Sequence, residues 1–145
     1  MQMPTDANVV HAVMHPAHKR PDIDAVESAV LSALDRFNYP EASKFAVRLA
    51  LEEALINAFQ HGHRGMADEE TTTVTYEITP DDVRISVHDR GPGFNPEQVP
   101  DPTAEQNIEL PSGRGLMLIR TFMTGAEHDL GGARLTMTYK RPVDA

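Results

Sequence analysis

Hydrophobic and polar positions along the chain follow two different periods, which divide it into predicted helices and strands. In the segment 22–37 apolar residues recur every three or four positions, which predicts an amphipathic helix that packs by one face. A second helix is predicted over 41–63 and a third over 115–124. Tyr39-Pro40 separates the first two, because the residue before a proline disfavours the helical conformation.

Five other segments have the β-branched composition and alternation of strands. They are 8–14, 71–79, 83–89, 126–131 and 134–141, and Pro80-Asp81-Asp82 predicts a hairpin turn between the second and the third. The order of elements predicts an α/β chain of the α+β sandwich class: a mixed, mainly antiparallel sheet with helices packed on one face. The long proline-rich stretch before the third helix has little periodicity, which is typical of a functional loop or of disorder.

Three polar residues of the second predicted helix lie on its otherwise apolar side. Glu53, Asn57 and His61 are spaced by four, so they form one stripe that rotates by about 40° at each step. The neighbouring Glu52 points to the predicted solvent side together with Arg48. A buried carboxylate without a partner is costly, so the stripe should face a partner, a metal or a cavity. A satisfied polar network in the core is the alternative for one such residue, but three in register favour a site.

Two glycine-rich segments are further candidates for ligand binding. Asp89-x-Gly91-x-Gly93 places a carboxylate at a strand end, followed by backbone that a ligand can approach closely. The segment 112–116, SGRGL, lies directly before the third predicted helix, where free N–H groups can bind phosphate. Either motif alone is also compatible with an ordinary turn.

The composition of the chain argues against several functional classes. The chain has 145 residues, enough for one domain, and a formal net charge of −9, which argues against a broad basic surface for nucleic acid. It has no cysteine, which excludes disulfides, cysteine-based zinc sites and thiol catalysis. His15 and His18 could supply two metal ligands, although a solvated loop is favoured. No signal peptide and no apolar run of membrane-spanning length is visible, so we expect a cytoplasmic protein without a membrane segment.

Taken in order, the polar stripe and the two glycine-rich segments resemble the N, G1 and G2 boxes of the Bergerat-fold (GHKL) ATP-binding superfamily, which includes gyrase, heat-shock chaperone ATPases and histidine kinases. The resemblance covers about 16–141 of a single domain, 1–145, and leaves 1–15 as an N-terminal strand and arm. The strings EALINAFQHG and GRGLMLIRTFM are most similar to the bacterial anti-sigma-factor serine/threonine kinases.

The resemblance implies a role for each motif. Glu53 would be the general base, Asn57 would hold Mg²⁺, and His61 would belong to the same ATP-binding stripe. Asp89 would accept a hydrogen bond from the adenine amino group. The segment 95–112 would form the ATP lid. Gly91 and Gly93 would let the base approach, and the N–H groups of Gly113 to Gly115 would meet phosphate. The cofactor-binding residues would also include Phe94, Ser112, Arg114 and Leu116.

One departure from the family pattern is visible near the last strand. Family members usually carry Gly-Thr there, with the Thr hydroxyl near the adenine, whereas this chain has Gly132-Ala133. The substitution removes one polar contact to the nucleotide.

The function implied is that of an ATP- and Mg²⁺-dependent serine/threonine protein kinase that acts as an anti-sigma factor. Such a protein would phosphorylate a STAS-type anti-anti-sigma factor and sequester a sigma factor as a homodimer, without direct contact to nucleic acid or membrane. Two alternatives stay open: a non-catalytic ATP-binding switch module, and a detached histidine-kinase-like ATPase domain. Glu53 favours the kinase, because binding alone does not require a base.

Overall fold

The structure, a computed structural model, describes residues 8–59, 72–89, 111–130 and 133–143, with only the backbone of 111–115. All eight predicted elements are present in the predicted order, with ends that differ by a few residues. They are β1 Val10–Met14, α1 Arg20–Arg36, α2 Glu41–Asn57, β2 Thr73–Ile78, β3 Asp82–His88, α3 Pro111–Phe122, β4 Gly125–Asp129 and β5 Arg134–Lys140.

The five strands form one sheet in the order β1-β2-β3-β5-β4, and all four pairings are antiparallel. The hairpin predicted at Pro80-Asp81-Asp82 joins β2 to β3. After α3 the chain enters the sheet at its edge as β4 and turns back, so that β5 lies between β3 and β4. The prediction of a mainly antiparallel sheet in an α+β fold is confirmed.

The two faces of the sheet differ in the way that a period of two requires. Alternate side chains of β2, β3 and β5 are buried beneath the helices, whereas those between them, such as Glu77, Arg84 and Lys140, are exposed. The residues of the buried face are Val74, Tyr76, Ile78, Val83, Ile85, Val87, Leu135, Met137 and Tyr139. The helices therefore cover one face of the sheet, as predicted.

The helix α2 lies at the centre of the helical layer, since both α1 and α3 pack against it. Small residues on α2 permit this close packing: Ala46, Ala50 and Ala54 are all buried. The apolar face predicted for α1 is also buried, except that Phe37 is only partly covered. No helix in the described ranges is both long and apolar enough to cross a bilayer.

The turn between α1 and α2 is fixed by its backbone conformation and by side-chain contacts. Asn38 has a φ of 57°, a left-handed conformation that often ends a helix. The hydroxyl of Tyr39 donates to the carbonyl oxygen of Thr79 at 2.7 Å. These contacts place the start of α2 against the β2–β3 hairpin and so orient the helix that carries the polar stripe.

Candidate functional site

The side chain of Asn57 is buried at the end of α2 without satisfying its polar atoms. The residue is 5% exposed, and neither Nδ2 nor Oδ1 has a hydrogen-bond partner in the described part of the chain. An unsatisfied buried amide costs about 1–3 kcal/mol. Its presence at this position is therefore typical of a binding site, in which a ligand supplies the missing partner.

The side chain of Asn57 lines a cavity between the helical layer and the sheet. The cavity is bounded by α2, β3, α3, β4 and the start of β5. Its described lining residues are Ala54, Asn57, Ala58, Val87, Asp89, Leu116, His128, Ala133 and Leu135. Most of these side chains are apolar and a few are polar, which is the usual composition of a small-molecule site.

Asp89 is held at the edge of this cavity by the sheet. The residue is 4% exposed, and its backbone N–H donates to the carbonyl oxygen of Ala133 at 2.9 Å. The structure thus brings together Asn57, Asp89 and Leu116, which the sequence had placed in three separate motifs. Ala133, which stands where the family usually has Thr, lines the same cavity.

Glu53 lies one turn before Asn57 on α2 and is partly buried. Burial, followed by the negative charge of Glu52, raises the pKa of Glu53 above its ordinary value. Glu53 is not among the described residues that line the cavity, although Ala54, the next residue, is. Glu53 thus lies on the helix that carries the cavity-lining Ala54 and Asn57, in surroundings that favour the protonated form of its carboxyl group.

The predicted site is described only in part. His61, Gly91, Gly93 and Phe94 lie outside the described residues, as does the lid prediction 95–112 except for its last two positions. The segment 112–116 was expected to precede its helix, but α3 already begins at Pro111. Proline is favoured in the first turn of a helix, because its missing N–H needs no partner there. The backbone of Ser112, Gly113, Arg114 and Gly115 therefore belongs to the beginning of α3, where the first N–H groups have no partner within the helix.

The sequence analysis did not identify His128, which lies on β4 and lines the cavity. The alternation of β4 could have indicated it, because Ala126 and His128 share the face of the sheet that packs toward the helices. Burial, and then the nearby Arg120 guanidinium, lower the pKa of His128. Both causes favour the neutral form of the imidazole.

A charged cluster between α1 and α2 corrects the prediction that Glu52 faces solvent. The Glu52 side chain is only 23% exposed, and its Oε1 accepts a hydrogen bond of 2.6 Å from Nη2 of Arg20. Glu27 is buried beside it, although it is not one of the apolar residues that predicted the buried face of α1. Its Oε1 lies 3.5 Å from Nη1 of Arg48. Burial and then the adjacent Glu52 carboxyl group raise the pKa of Glu27 to about 7.

His15 and His18, which were considered as metal ligands, lie in the β1–α1 connection and contact other side chains. The His18 ring stacks on Phe59 with 4.2 Å between centroids. Nδ1 of His15 lies 3.3 Å from the hydroxyl of Thr73. Within the described ranges, no group of three or more His, Asp or Glu side chains is arranged to hold a metal ion.

Comparisons with known proteins agree with this architecture. Residues 16–139 match the family described as histidine kinase-like ATPase domain. Among solved structures, the RsbU and RsbW domains of Rv1364c from Mycobacterium tuberculosis match with a TM-score of 0.61 at 16% identity, over 91% of this chain and 32% of that chain. The chain therefore spans about a third of that protein's length, and the likeness shows a common fold. A search of curated proteins gives no match.

Proposed function

Because the chain belongs to the histidine kinase-like ATPase domain family, we propose that it is an ATP- and Mg²⁺-dependent serine/threonine protein kinase that acts as an anti-sigma factor. Membership of the family implies ATP binding. The substrate would be a STAS-type anti-anti-sigma protein, and a homodimer would sequester a sigma factor. The observation that carries the proposal is the buried amide of Asn57, which has no hydrogen-bond partner among the described residues and lies one turn beyond the partly buried carboxyl group of Glu53.

The cavity suits an adenine base. Its floor and walls include Val87, Leu135 and Leu116, which offer apolar contact to a flat ring. Asp89, at the edge, would accept a hydrogen bond from the exocyclic amino group of adenine. Because the backbone of Asp89 is paired with Ala133, the carboxylate has a fixed place and would favour a base that presents a hydrogen-bond donor there.

Asn57 fits a magnesium ligand. Mg²⁺ takes oxygen ligands, and the amide oxygen Oδ1 is a neutral oxygen donor that is buried and has no hydrogen-bond partner in the described part of the chain. When bound, the ion would neutralise charge on the phosphates during transfer. Because the helix α2 carries both Asn57 and Glu53, the metal end of the site and the proposed base have a fixed spacing.

Glu53 would act on the incoming hydroxyl group. The serine or threonine oxygen forms a bond to the γ-phosphorus, the bond from that phosphorus to the β,γ-bridging oxygen breaks, and ADP leaves. Glu53 takes the hydroxyl proton. The raised pKa of Glu53 makes its carboxylate a stronger base than an exposed one.

The test compares phosphoryl transfer by the wild type, by Glu53→Gln and by Glu77→Gln. ATP labelled at the γ-phosphate is offered together with each STAS-type protein encoded by the same genome. Glu53→Gln keeps the shape of the side chain but cannot accept the proton, so transfer should fall by about 10²- to 10⁴-fold while ATP binding persists. Glu77→Gln is the control, because that carboxylate is exposed on the outer face of β2, away from α2 and the cavity.

Two results would contradict the proposal. Transfer that Glu53→Gln leaves intact would exclude Glu53 as the base. Tight ATP binding by the wild type without transfer to any STAS-type protein would instead favour the non-catalytic switch module, which needs Asn57 and Asp89 but no base.

A further inference from the structure

Only three of the nine described residues that line the cavity are polar: Asn57, Asp89 and His128. The proposed function gives the first to the metal and the second to the adenine amino group, and leaves the imidazole without a role. A histidine in an otherwise mostly apolar lining places a ring with two nitrogen atoms, one able to donate and one able to accept a hydrogen bond, at the wall of the cavity.

The position of His128 is set by the register of the sheet. On the buried face, Val87 of β3 pairs with Leu135 of β5, and Leu135 pairs in turn with His128 of β4. The three side chains form a row across the floor of the cavity. Asp89 follows two residues after Val87 at the same end of the sheet, so the carboxylate and the imidazole stand on opposite sides of the first residues of β5.

Ala133 lies between these two polar residues. Its carbonyl oxygen accepts from the N–H of Asp89, and its methyl side chain lines the cavity. A methyl group offers a bound base no hydrogen bond. His128, on the neighbouring strand β4, is the polar side chain among the described lining residues that could offer a hydrogen bond to the base from this side of β5.

We propose that His128 is a base-recognition residue of this pocket, whose imidazole hydrogen-bonds the purine ring from the side opposite Asp89. The inference rests on the proposed function, since it assumes that the cavity holds the base of ATP. A neutral imidazole has one donor and one acceptor nitrogen, which matches the donor and acceptor positions along the edges of adenine. The contact would compensate for the hydroxyl that Ala133 lacks.

The experiment measures the affinity of adenosine, ADP and ATP by calorimetry for the wild type and for variants of His128. His128→Phe keeps a flat ring but removes both nitrogens, and should weaken adenosine and ATP by a similar factor of about 3- to 10-fold. His128→Gln keeps a donor and an acceptor and should stay within about twofold of the wild type. His11→Phe is the matched control, because His11 is exposed on β1, at the other edge of the sheet.

The outcomes separate the inference from the proposed function. If the wild type binds adenosine and His128→Phe binds it equally well, the inference is wrong while the proposed function stands. Equal losses in His128→Phe and His128→Gln would assign His128 a packing role and would also overturn it. If the wild type binds neither adenosine nor ATP, the proposed function itself fails. His128→Ala replaces His128→Phe if the larger ring prevents folding, which thermal melting of each variant would show.

Discussion

The backbone N–H of Asp89 donates a hydrogen bond of 2.9 Å to the carbonyl oxygen of Ala133. The bond extends the β3–β5 pairing beyond its last register pair, His88 with Arg134. Both residues line the cavity, so the wall that would contact a base is positioned by the sheet. A site built on paired strands keeps its geometry better than one built on a loop.

Asp89→Asn tests this wall. The change leaves the backbone bond to Ala133 intact but removes the charge of the side-chain acceptor. Hydrogen bonds to charged groups contribute about 1.5–3 kcal/mol, so adenosine and ATP should both bind about 10- to 150-fold more weakly. Calorimetric titration with each ligand measures the ratio. A loss for ATP alone would place Asp89 near the phosphates and contradict the assignment.

Substitution of Asn57, in contrast, should weaken the binding of ATP more than the binding of adenosine. Asn57→Ala removes the proposed metal ligand, so ATP with Mg²⁺ should weaken while adenosine binding changes little. Equal weakening of both ligands would mean that Asn57 has a structural role.

Asn57 also predicts a change in stability. Asn57→Leu replaces a buried amide that has no hydrogen-bond partner in the described ranges by an apolar group of similar volume, so the ligand-free variant should gain about 1 kcal/mol in free energy of unfolding. Urea unfolding without nucleotide measures it. A clear loss of stability would show that the amide has a partner that stabilises the fold.

The sequence predicted those parts of the structure that depend on local periodicity. The apolar faces of α1 and α2 follow from residues three and four apart, and the β2–β3 hairpin follows from Pro80-Asp81-Asp82 between two alternating runs. The pairing of β3 with β5 is different, because these strands are distant in the sequence and such a pairing leaves no mark in either strand's own pattern. The alternation of β4 places His128 on the same face as Ala126, but its neighbour Leu135 and the cavity only become apparent once the strands are paired.

The burial of Glu27 could not be predicted from α1 alone. A carboxyl group is buried here because Arg20, Arg48 and Glu52 surround it, and two of these belong to another helix. Periodicity within one helix gives the direction of a side chain but says nothing about a partner on the next helix.

Arg141 is expected to contribute strongly to stability. Its guanidinium donates to the carbonyl oxygens of Phe37 and Asn38 at 2.7 Å each and of Pro80 at 3.2 Å, and it lies 4.7 Å from the centroid of the Tyr39 ring. Lysine cannot reproduce this planar arrangement of donors. Arg141→Lys should therefore lower the free energy of unfolding by about 1–3 kcal/mol, as measured in urea. Arg84→Lys, at an exposed position on the outer face of β3, is the control.

The result for Arg141 should be independent of the nucleotide site, because its contacts join the α1–α2 turn to the β2–β3 hairpin. Adenosine affinity of the folded Arg141→Lys variant should match that of the wild type. An unchanged free energy of unfolding in Arg141→Lys would show that these hydrogen bonds are replaced by water without loss.

Glu27 and Glu52 give the protein a pH dependence of known sign. The pKa of Glu27 is raised from its ordinary 4.5 to about 7, whereas the Arg20 guanidinium lowers the pKa of Glu52. Between pH 4.5 and 7 the folded protein therefore keeps a proton on Glu27 that the unfolded chain has lost, and the free energy of unfolding falls as the pH rises. The lowered pKa of Glu52 has the opposite sign but acts below pH 4.5, where that stabilisation is lost as the pH falls.

Glu27→Gln should remove this dependence. Glutamine keeps the shape of the protonated carboxyl group and cannot ionise, so the variant should be about 1–3 kcal/mol more stable than the wild type at pH 8 and similar to it at pH 5. Urea unfolding at each pH measures the difference, and Asp24→Asn, an exposed carboxylate on the same helix whose side chain is 56% exposed, is the control. If Glu27→Gln lowers stability at pH 8, the ionised carboxylate is a net stabilising partner of Arg20 and Arg48. The slope of stability with pH would then have to arise from other groups.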